Sequence, residues 1–133
     1  MNGKIENIDI VVQNWLDSAD QNFATMKNLL RSGDYSWALF IGHLVIEKTL
    51  KALYVKKKNE HALFTHDLLR LSSKIGLDIS EEQQDWLDEI TTFNLNARYD
   101  NYKQLFAKLC TKEFTEVRIS RIEIIRQWLI NQF

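Results

Sequence analysis

The chain has 133 residues, of which 45% are apolar and 26% are charged, and this composition argues against an intrinsically disordered or fibrous protein. Its formal net charge of −1 excludes a surface that is basic throughout, as domains that wrap nucleic acid usually have. We therefore expect residues 1–133 to form a single domain.

Signals that break helices or direct export are scarce. The chain has no proline and only four glycines, so helices are the default secondary structure. The stretch MNGKIENIDIVVQNW lacks the apolar run of a signal peptide, and no stretch approaches the about 20 apolar residues of a membrane span. We expect the lone cysteine, Cys110, to be a small core residue, which fits a reducing compartment. These features predict a cytoplasmic protein without a membrane partner.

The first two helices are predicted from the spacing of apolar residues. Apolar side chains recur every three or four positions through residues 8–30, which predicts a helix over about residues 5–31. Gly33 supplies the backbone freedom that ends this helix, and Asp34 is expected to accept from the free amides of the next one. The second helix is predicted over about residues 35–57.

The second helix carries the most informative pattern. Its stretch FIGHLVIEKTLK, residues 40–51, belongs to a wide apolar face, so we expect it to be the central helix of a bundle. His43, Glu47 and Lys51 interrupt this face at four-residue intervals and form a tilted polar stripe. The stripe is either a hydrogen-bonded set at an edge of the bundle or part of a ligand site.

The remaining elements are predicted from capping and turn residues. Thr65 is expected to cap a short third helix, HDLLRLSSKI, which Gly76 ends. Ser80, followed by EEQ, gives the capping-box pattern that begins a fourth helix. The asparagines and aspartate of residues 94–103, NLNARYDNYK, favour turns. A last helix is predicted from about Thr111, and KQLFAKLC before it fits either a helical turn or an ordered loop.

The predicted architecture is all-α, an antiparallel up-and-down bundle of four to five helices. The shortage of glycine and of parallel strands excludes a P-loop and a dinucleotide-binding fingerprint, and zinc-finger cysteine spacing is absent. His43 and Glu47 alone are too few ligands for a helical metal site, which usually draws on several helices. We therefore expect neither a metal nor another cofactor.

Polar residues cluster on helix two, at the start of helix three and after helix four. The pattern consists of Tyr35, Ala38, Phe40, His43, Glu47, Lys48, Lys51 and Ala52, followed by THDLLRL and then NARYD. In this order it resembles the HEPN domain family, small helical domains found beside minimal nucleotidyltransferases in bacteria and archaea. The resemblance extends from about Trp15 to Asp100 and implies a HEPN-like helical bundle.

Catalytic HEPN ribonucleases carry an arginine followed by four to six residues and a histidine. An imidazole and a guanidinium together can transfer the proton and stabilise the phosphate charge of RNA cleavage. Counted from Arg98, the positions of that histidine hold Lys103, Gln104 and Leu105. A lysine is normally protonated and therefore a poor base at neutral pH. The resemblance thus implies the non-nuclease branch with an RYD or RYP loop, for which binding of nucleotides or other anions has been proposed.

Our first hypothesis is an accessory binding module that forms a homodimer and acts as the partner of a nucleotidyltransferase. It would bind a nucleotide or another phosphate-bearing ligand in a cleft between helix two and the Arg98 loop. The candidate ligand-binding residues are His43, Glu47, Lys51, His66, Arg98, Tyr99 and Asp100.

Two alternatives remain open. The chain could be the RNase toxin of a toxin–antitoxin pair, acting on RNA through Arg98 with a non-standard histidine, His43 or His66. It could also be a non-catalytic dimerisation module whose polar stripe only specifies the dimer.

Overall fold

In a computed structural model that describes residues 6–133, the chain is built from helices alone, which confirms the predicted all-α class. The six helices of this range are α1 (Ile8–Ser32), α2 (Tyr35–Lys58), α3 (Leu68–Ile75), α4 (Glu81–Arg98), α5 (Asp100–Leu109) and α6 (Lys112–Ile130). The predicted start of the first helix, at Ile5, lies outside the described residues. None of the helices in residues 6–133 combines the length and apolar character needed to cross a membrane.

The ends of α1 and α3 are as predicted, but two caps differ. Gly33 and Gly76 end these helices in the left-handed conformation, with φ of 81° and 86°. Asp34 makes no side-chain cap to α2, and its Oδ2 accepts from the hydroxyl of Ser32. The cap of α3 is Asp67, whose side chain accepts from the N–H of Arg70, so the prediction of Thr65 as the cap was wrong by two residues.

Helix α2 is the centre of the bundle, as predicted. It packs mainly against α1 and also contacts α6, α4 and α3, so nearly its whole circumference is buried. Gly42 allows this close approach: a Cβ atom built there would lie 2.5 Å from Ile122 Cδ1 on α6 and 3.2 Å from Met26 Sδ on α1. The polar stripe on α2 is therefore carried by the most enclosed helix of the fold.

The segment predicted to turn, residues 94–103, is helical except at Tyr99. Helix α4 continues to Arg98 and α5 begins at Asp100, so a single residue with φ −96° and ψ 128° redirects the chain. Asn94 is buried and its Oδ1 accepts from Arg98, so its side chain does not compete for backbone groups. The KQLFAKLC segment, which the sequence left ambiguous, forms the last part of α5 and its C-cap. Cys110 is buried as predicted, and this burial raises the pKa of its thiol to about 11.

Candidate functional site

Three side chains of α2 and one from the following loop form a polar group that we call the Glu47 cluster: His43, Glu47, Lys51 and His66. The four-residue spacing places the first three along one side of α2. Glu47 is the centre of the cluster, because its Oε2 accepts from Lys51 Nζ at 3.0 Å and its Oε1 accepts from His66 Nδ1 at 2.8 Å. Four of the seven predicted site residues therefore lie together.

The central ion pair of the cluster is nearly buried. The side chains of Glu47 and Lys51 are 6% and 9% exposed, and Lys51 Nζ lies 5.5 Å from the centroid of the Trp15 ring. A charge removed from water to this extent is stable only when it is paired. The ammonium of Lys51 is thus committed to Glu47 and cannot neutralise a phosphate without breaking this pair.

His43 is completely buried and acts as a hydrogen-bond donor. Its Nε2 lies 2.9 Å from the carbonyl oxygen of His66, and a carbonyl only accepts, so Nε2 carries the proton. Its Nδ1 has no hydrogen-bond partner within residues 6–133. Burial lowers the pKa of His43 from its usual 6.5, which keeps the ring neutral at pH 7.

His66 is the solvent-facing member of the Glu47 cluster, with 55% of its side chain exposed. Its carbonyl bonds to His43 and its ring bonds to Glu47, so the loop between α2 and α3 is fastened to α2 at two points. The cluster therefore holds this loop in place and offers a single imidazole to a ligand. Within the described part of the chain, no three histidine, cysteine, aspartate or glutamate side chains are grouped so that they could hold a metal ion.

The other three predicted site residues lie where α4 meets α5, in an exposed patch that we call the junction surface: Arg98, Tyr99, Asp100, Tyr102 and Lys103. Arg98 Nη1 donates to Asn94 Oδ1 at 3.3 Å, and no carboxylate among residues 6–133 forms an ion pair with it. The side chain of Asp100 is 98% exposed, with Lys103 Nζ at 3.8 Å.

The junction surface is separate from the Glu47 cluster, which corrects the expectation of one shared cleft. The N–H of Leu68 donates to Thr91 Oγ1 at 3.2 Å, so the loop that contains His66 meets α4 near Thr91. Arg98 lies seven residues further along α4, about 10 Å along the helix axis. The expectation failed because NLNAR extends α4 by more than a turn and carries Arg98 away from α3.

Backbone donors lie next to Arg98 in the junction surface. Tyr99 makes no side-chain cap to α5, and the N–H groups of Asp100 and Asn101, as the first of the helix, have no acceptor within the helix itself. These N–H groups mark the positive end of the α5 dipole, although the carboxylate of Asp100 already interacts favourably with it. Together with the adjacent guanidinium they can bind an oxyanion.

Trp37 and Lys103 also belong to this region, and sequence reasoning assigned a role to neither. Lys103 Nζ lies 5.8 Å from the centroid of the Trp37 ring, and both residues line a shallow cavity of about 150 Å³ with Ala97. This places the end of α4 beside the first turn of α2, away from Glu47. No local pattern could reveal the pair, since the two residues belong to different helices.

Comparisons with known proteins agree with this fold. The sequence matches the HEPN domain family over residues 12–132. The fold is similar to the crystal structure of TT1696 from Thermus thermophilus, with a TM-score of 0.80 and 20% sequence identity over 92% of this chain and 98% of that one. A search of curated proteins gives no match. Because the family match spans nearly the whole chain, the protein belongs to the HEPN domain family.

Proposed function

We propose that this HEPN-domain protein is a cytoplasmic accessory module that binds a nucleotide or another phosphate-bearing ligand at the junction surface. The proposal rests on the exposure and the hydrogen bonding of Arg98. Its guanidinium is exposed and bonded only to Asn94 among the described residues, so most of its donors remain open. A planar guanidinium with open donors is well suited to a phosphate.

The surroundings of Arg98 favour the same class of ligand. The N–H groups at the start of α5 form the positive end of its dipole. The ammonium of Lys103 lies at the same surface, 3.8 Å from the exposed carboxylate of Asp100. Tyr99 and Tyr102 are 53% and 51% exposed, and such rings can stack on a nucleobase. A ligand with both a phosphate and a base would therefore use more of this surface than inorganic phosphate.

The positions around Arg98 do not favour ribonuclease chemistry. Lys103 stands where the HEPN ribonuclease pattern has a histidine, and its ammonium lies near Asp100 and the Trp37 ring. His43 is completely buried, and His66 Nδ1 is bonded to Glu47 near a different part of α4. Neither histidine is placed to share a substrate phosphate with Arg98, so the toxin alternative has less support than binding.

We further propose that the protein acts as a homodimer and serves a nucleotidyltransferase. The dimer is supported by two exposed apolar side chains on one face of α5, Leu105 and Leu109, which are four residues apart. A second copy would remove these side chains from water. The nucleotidyltransferase partner rests on the resemblance of the sequence to HEPN domains found beside such enzymes.

The proposal is tested by ligand-induced thermal stabilisation. ATP, AMP and inorganic phosphate at millimolar concentration are each added to the purified protein and to its Arg98→Ala variant. A ligand at about 100 times its Kd stabilises the native state by about 2.7 kcal/mol, which raises the melting temperature by several degrees. We expect the nucleotides to stabilise the wild type more than phosphate does, and Arg98→Ala to lose the effect.

Arg31 provides a matched control. It is also exposed, lies near the end of a helix and bonds to an asparagine of its own helix, Asn28. Arg31→Ala should retain the full nucleotide response. The proposal fails if no nucleotide stabilises the wild type, or if both arginine variants respond like the wild type. It also fails if the protein cleaves RNA and Arg98→Ala abolishes that cleavage while leaving the fold intact.

A further inference from the structure

A second concave surface lies near the C-terminal end of α2, whereas the junction surface lies beside its first turn. We call it the α1–α6 groove; it has a volume of about 740 Å³ and is lined mainly by α1 and α6, with Lys56 of α2 at one end. Helices α1 and α6 each pack on α2 but contact each other much less. The groove is the space that this divergence leaves, and it has the size of a binding site.

The floor of the groove is apolar and incompletely covered. Ile8, Val12 and Leu16 recur every four residues on α1, are partly exposed, and do not belong to the packed core of the bundle. Ile130 and Phe133 face them from α6 and the residues that follow it. Ile8, Val12 and Leu16 extend the apolar stripe of α1 past the part that packs into the core of the bundle. This part of the stripe is therefore available to cover a ligand rather than the chain's own core.

The two walls of the groove carry opposite charges. Residues 6–26, which include the α1 wall, contain four acidic and no basic side chains, and Asp9 and Asp20 line the groove. The facing wall contributes Lys56 and Arg126, and residues 124–133 contain no acidic side chain. A ligand that lies lengthwise in the groove therefore meets negative charge along one side and positive charge along the other.

The charges differ in how far they are already paired. Arg126 Nη2 lies 3.3 Å from Asp20 Oδ1, and the Arg126 guanidinium stacks on Phe23 at 4.0 Å, so this end of the groove is internally satisfied. At the other end, Lys56 donates to the backbone oxygen of Phe133 and lies 5.5 Å from the centroid of its ring. Neither Lys56 nor Asp9 has an oppositely charged side chain as a partner within residues 6–133. Asp9 and Lys56 thus leave one open charge of each sign.

We propose that the α1–α6 groove binds an amphipathic helix of a partner protein. The helix has an apolar stripe that covers the groove floor, a basic flank that faces Asp9 and α1, and an acidic flank that faces Lys56. The α1 lining from Ile8 to Asp20 spans about 18 Å, which matches a little more than three turns of a docked helix. This site is independent of the proposed phosphate site, and either proposal can fail without the other.

The probe is a fluorescein-labelled synthetic helix of about four turns. It carries leucines every three or four residues, lysines along one flank of that stripe and glutamates along the other. Two control peptides keep the leucines but carry only lysines or only glutamates on both flanks. Fluorescence anisotropy with the full chain should show saturable binding of the mixed-flank peptide, and binding of each control should be about tenfold weaker.

Three variants locate the binding on the protein. Leu16→Glu places a charge on the groove floor and should weaken binding of the mixed-flank peptide by at least about tenfold. Ile10→Glu is the matched control, since Ile10 is exposed on the same helix but does not line the groove. Asp9→Lys should reverse the preference, weakening the mixed-flank peptide and strengthening the all-glutamate one.

Several results would overturn the proposal. One is equal binding of all three peptides, and another is an equal loss in Leu16→Glu and Ile10→Glu. A third result concerns the dye anilinonaphthalene sulfonate. If the dye binds saturably, only Leu16→Glu abolishes this binding and no peptide binds, the groove is a small-molecule site. If Leu16→Glu instead changes the oligomeric state in sedimentation experiments, the groove is filled by a second copy of the chain.

Discussion

Replacing Glu47 by glutamine leaves the nearly buried ammonium of Lys51 without its counter-charge. The two side chains are 6% and 9% exposed, so little solvent is present to compensate. Breaking a buried pair by removing one partner costs about 3–5 kcal/mol. Because glutamine keeps an oxygen that can accept from Lys51, we expect the lower end, about 3 kcal/mol of lost unfolding free energy.

Substituting both Glu47 and Lys51 separates the effect of the charges on stability from the effect of side-chain packing. Lys51→Met alone leaves Glu47 with His66 as its remaining partner, at 2.8 Å, so we expect a smaller loss of about 1–2 kcal/mol. The double variant Glu47→Gln, Lys51→Met removes both charges and should be more stable than Glu47→Gln alone. The two single losses should therefore exceed the double loss by about 2 kcal/mol or more.

The assay is chemical denaturation at pH 7, analysed as a double-mutant cycle. The exposed pair Lys27–Glu123 is the control, because its 2.7 Å distance is shorter but its side chains are 41% and 38% exposed. Its cycle should give no more than about 1 kcal/mol. If both cycles give the same small coupling, burial does not determine the coupling energy of the Glu47–Lys51 pair, contrary to this prediction.

Two further predictions concern the core and its response to pH. Gly42→Ala should destabilise the protein by about 1–3 kcal/mol because its Cβ would lie 2.5 Å from Ile122 Cδ1. Adding Ile122→Val deletes that atom, so thermal melts should show the double variant to be more stable than Gly42→Ala. Since burial lowers the pKa of His43, protons bind preferentially to the unfolded chain below about pH 6.5, and stability should fall as pH decreases from there. His43→Gln should remove that part of the slope, at most about 1.4 kcal/mol per pH unit, in urea titrations at several pH values.

Local patterns were sufficient to predict the helices where the determining residues are close in sequence. Gly33 and Gly76 end α1 and α3, and Ser80 begins α4 with both halves of its capping box. The prediction failed at residues 94–103 because the turn preference of asparagine depends on its side chain being free. Asn94 is buried and bonded to Arg98 instead, so the helix continues.

The candidate site was predictable only in part, for a geometric reason. Residues four apart on one helix lie together, so the relation of His43, Glu47 and Lys51 follows from the sequence alone. The position of Arg98 depends on where α4 ends and how α4 packs, which spacing within one helix does not determine. The sequence did not predict the α1–α6 groove for the same reason. Periodicity predicts which face of α1 is apolar, but it does not predict how much of that face another helix covers.

Binding of a phosphate-bearing ligand at the junction surface is best tested by amide chemical-shift mapping with a titrated nucleotide. We expect the largest shifts at residues 98–103 and expect Arg98→Ala to remove them, while the amides of residues 64–68 beside the Glu47 cluster change little. Shifts that centre on residues 64–68 and persist in Arg98→Ala, or no shifts at millimolar nucleotide, would show that the ligand does not bind at the junction surface.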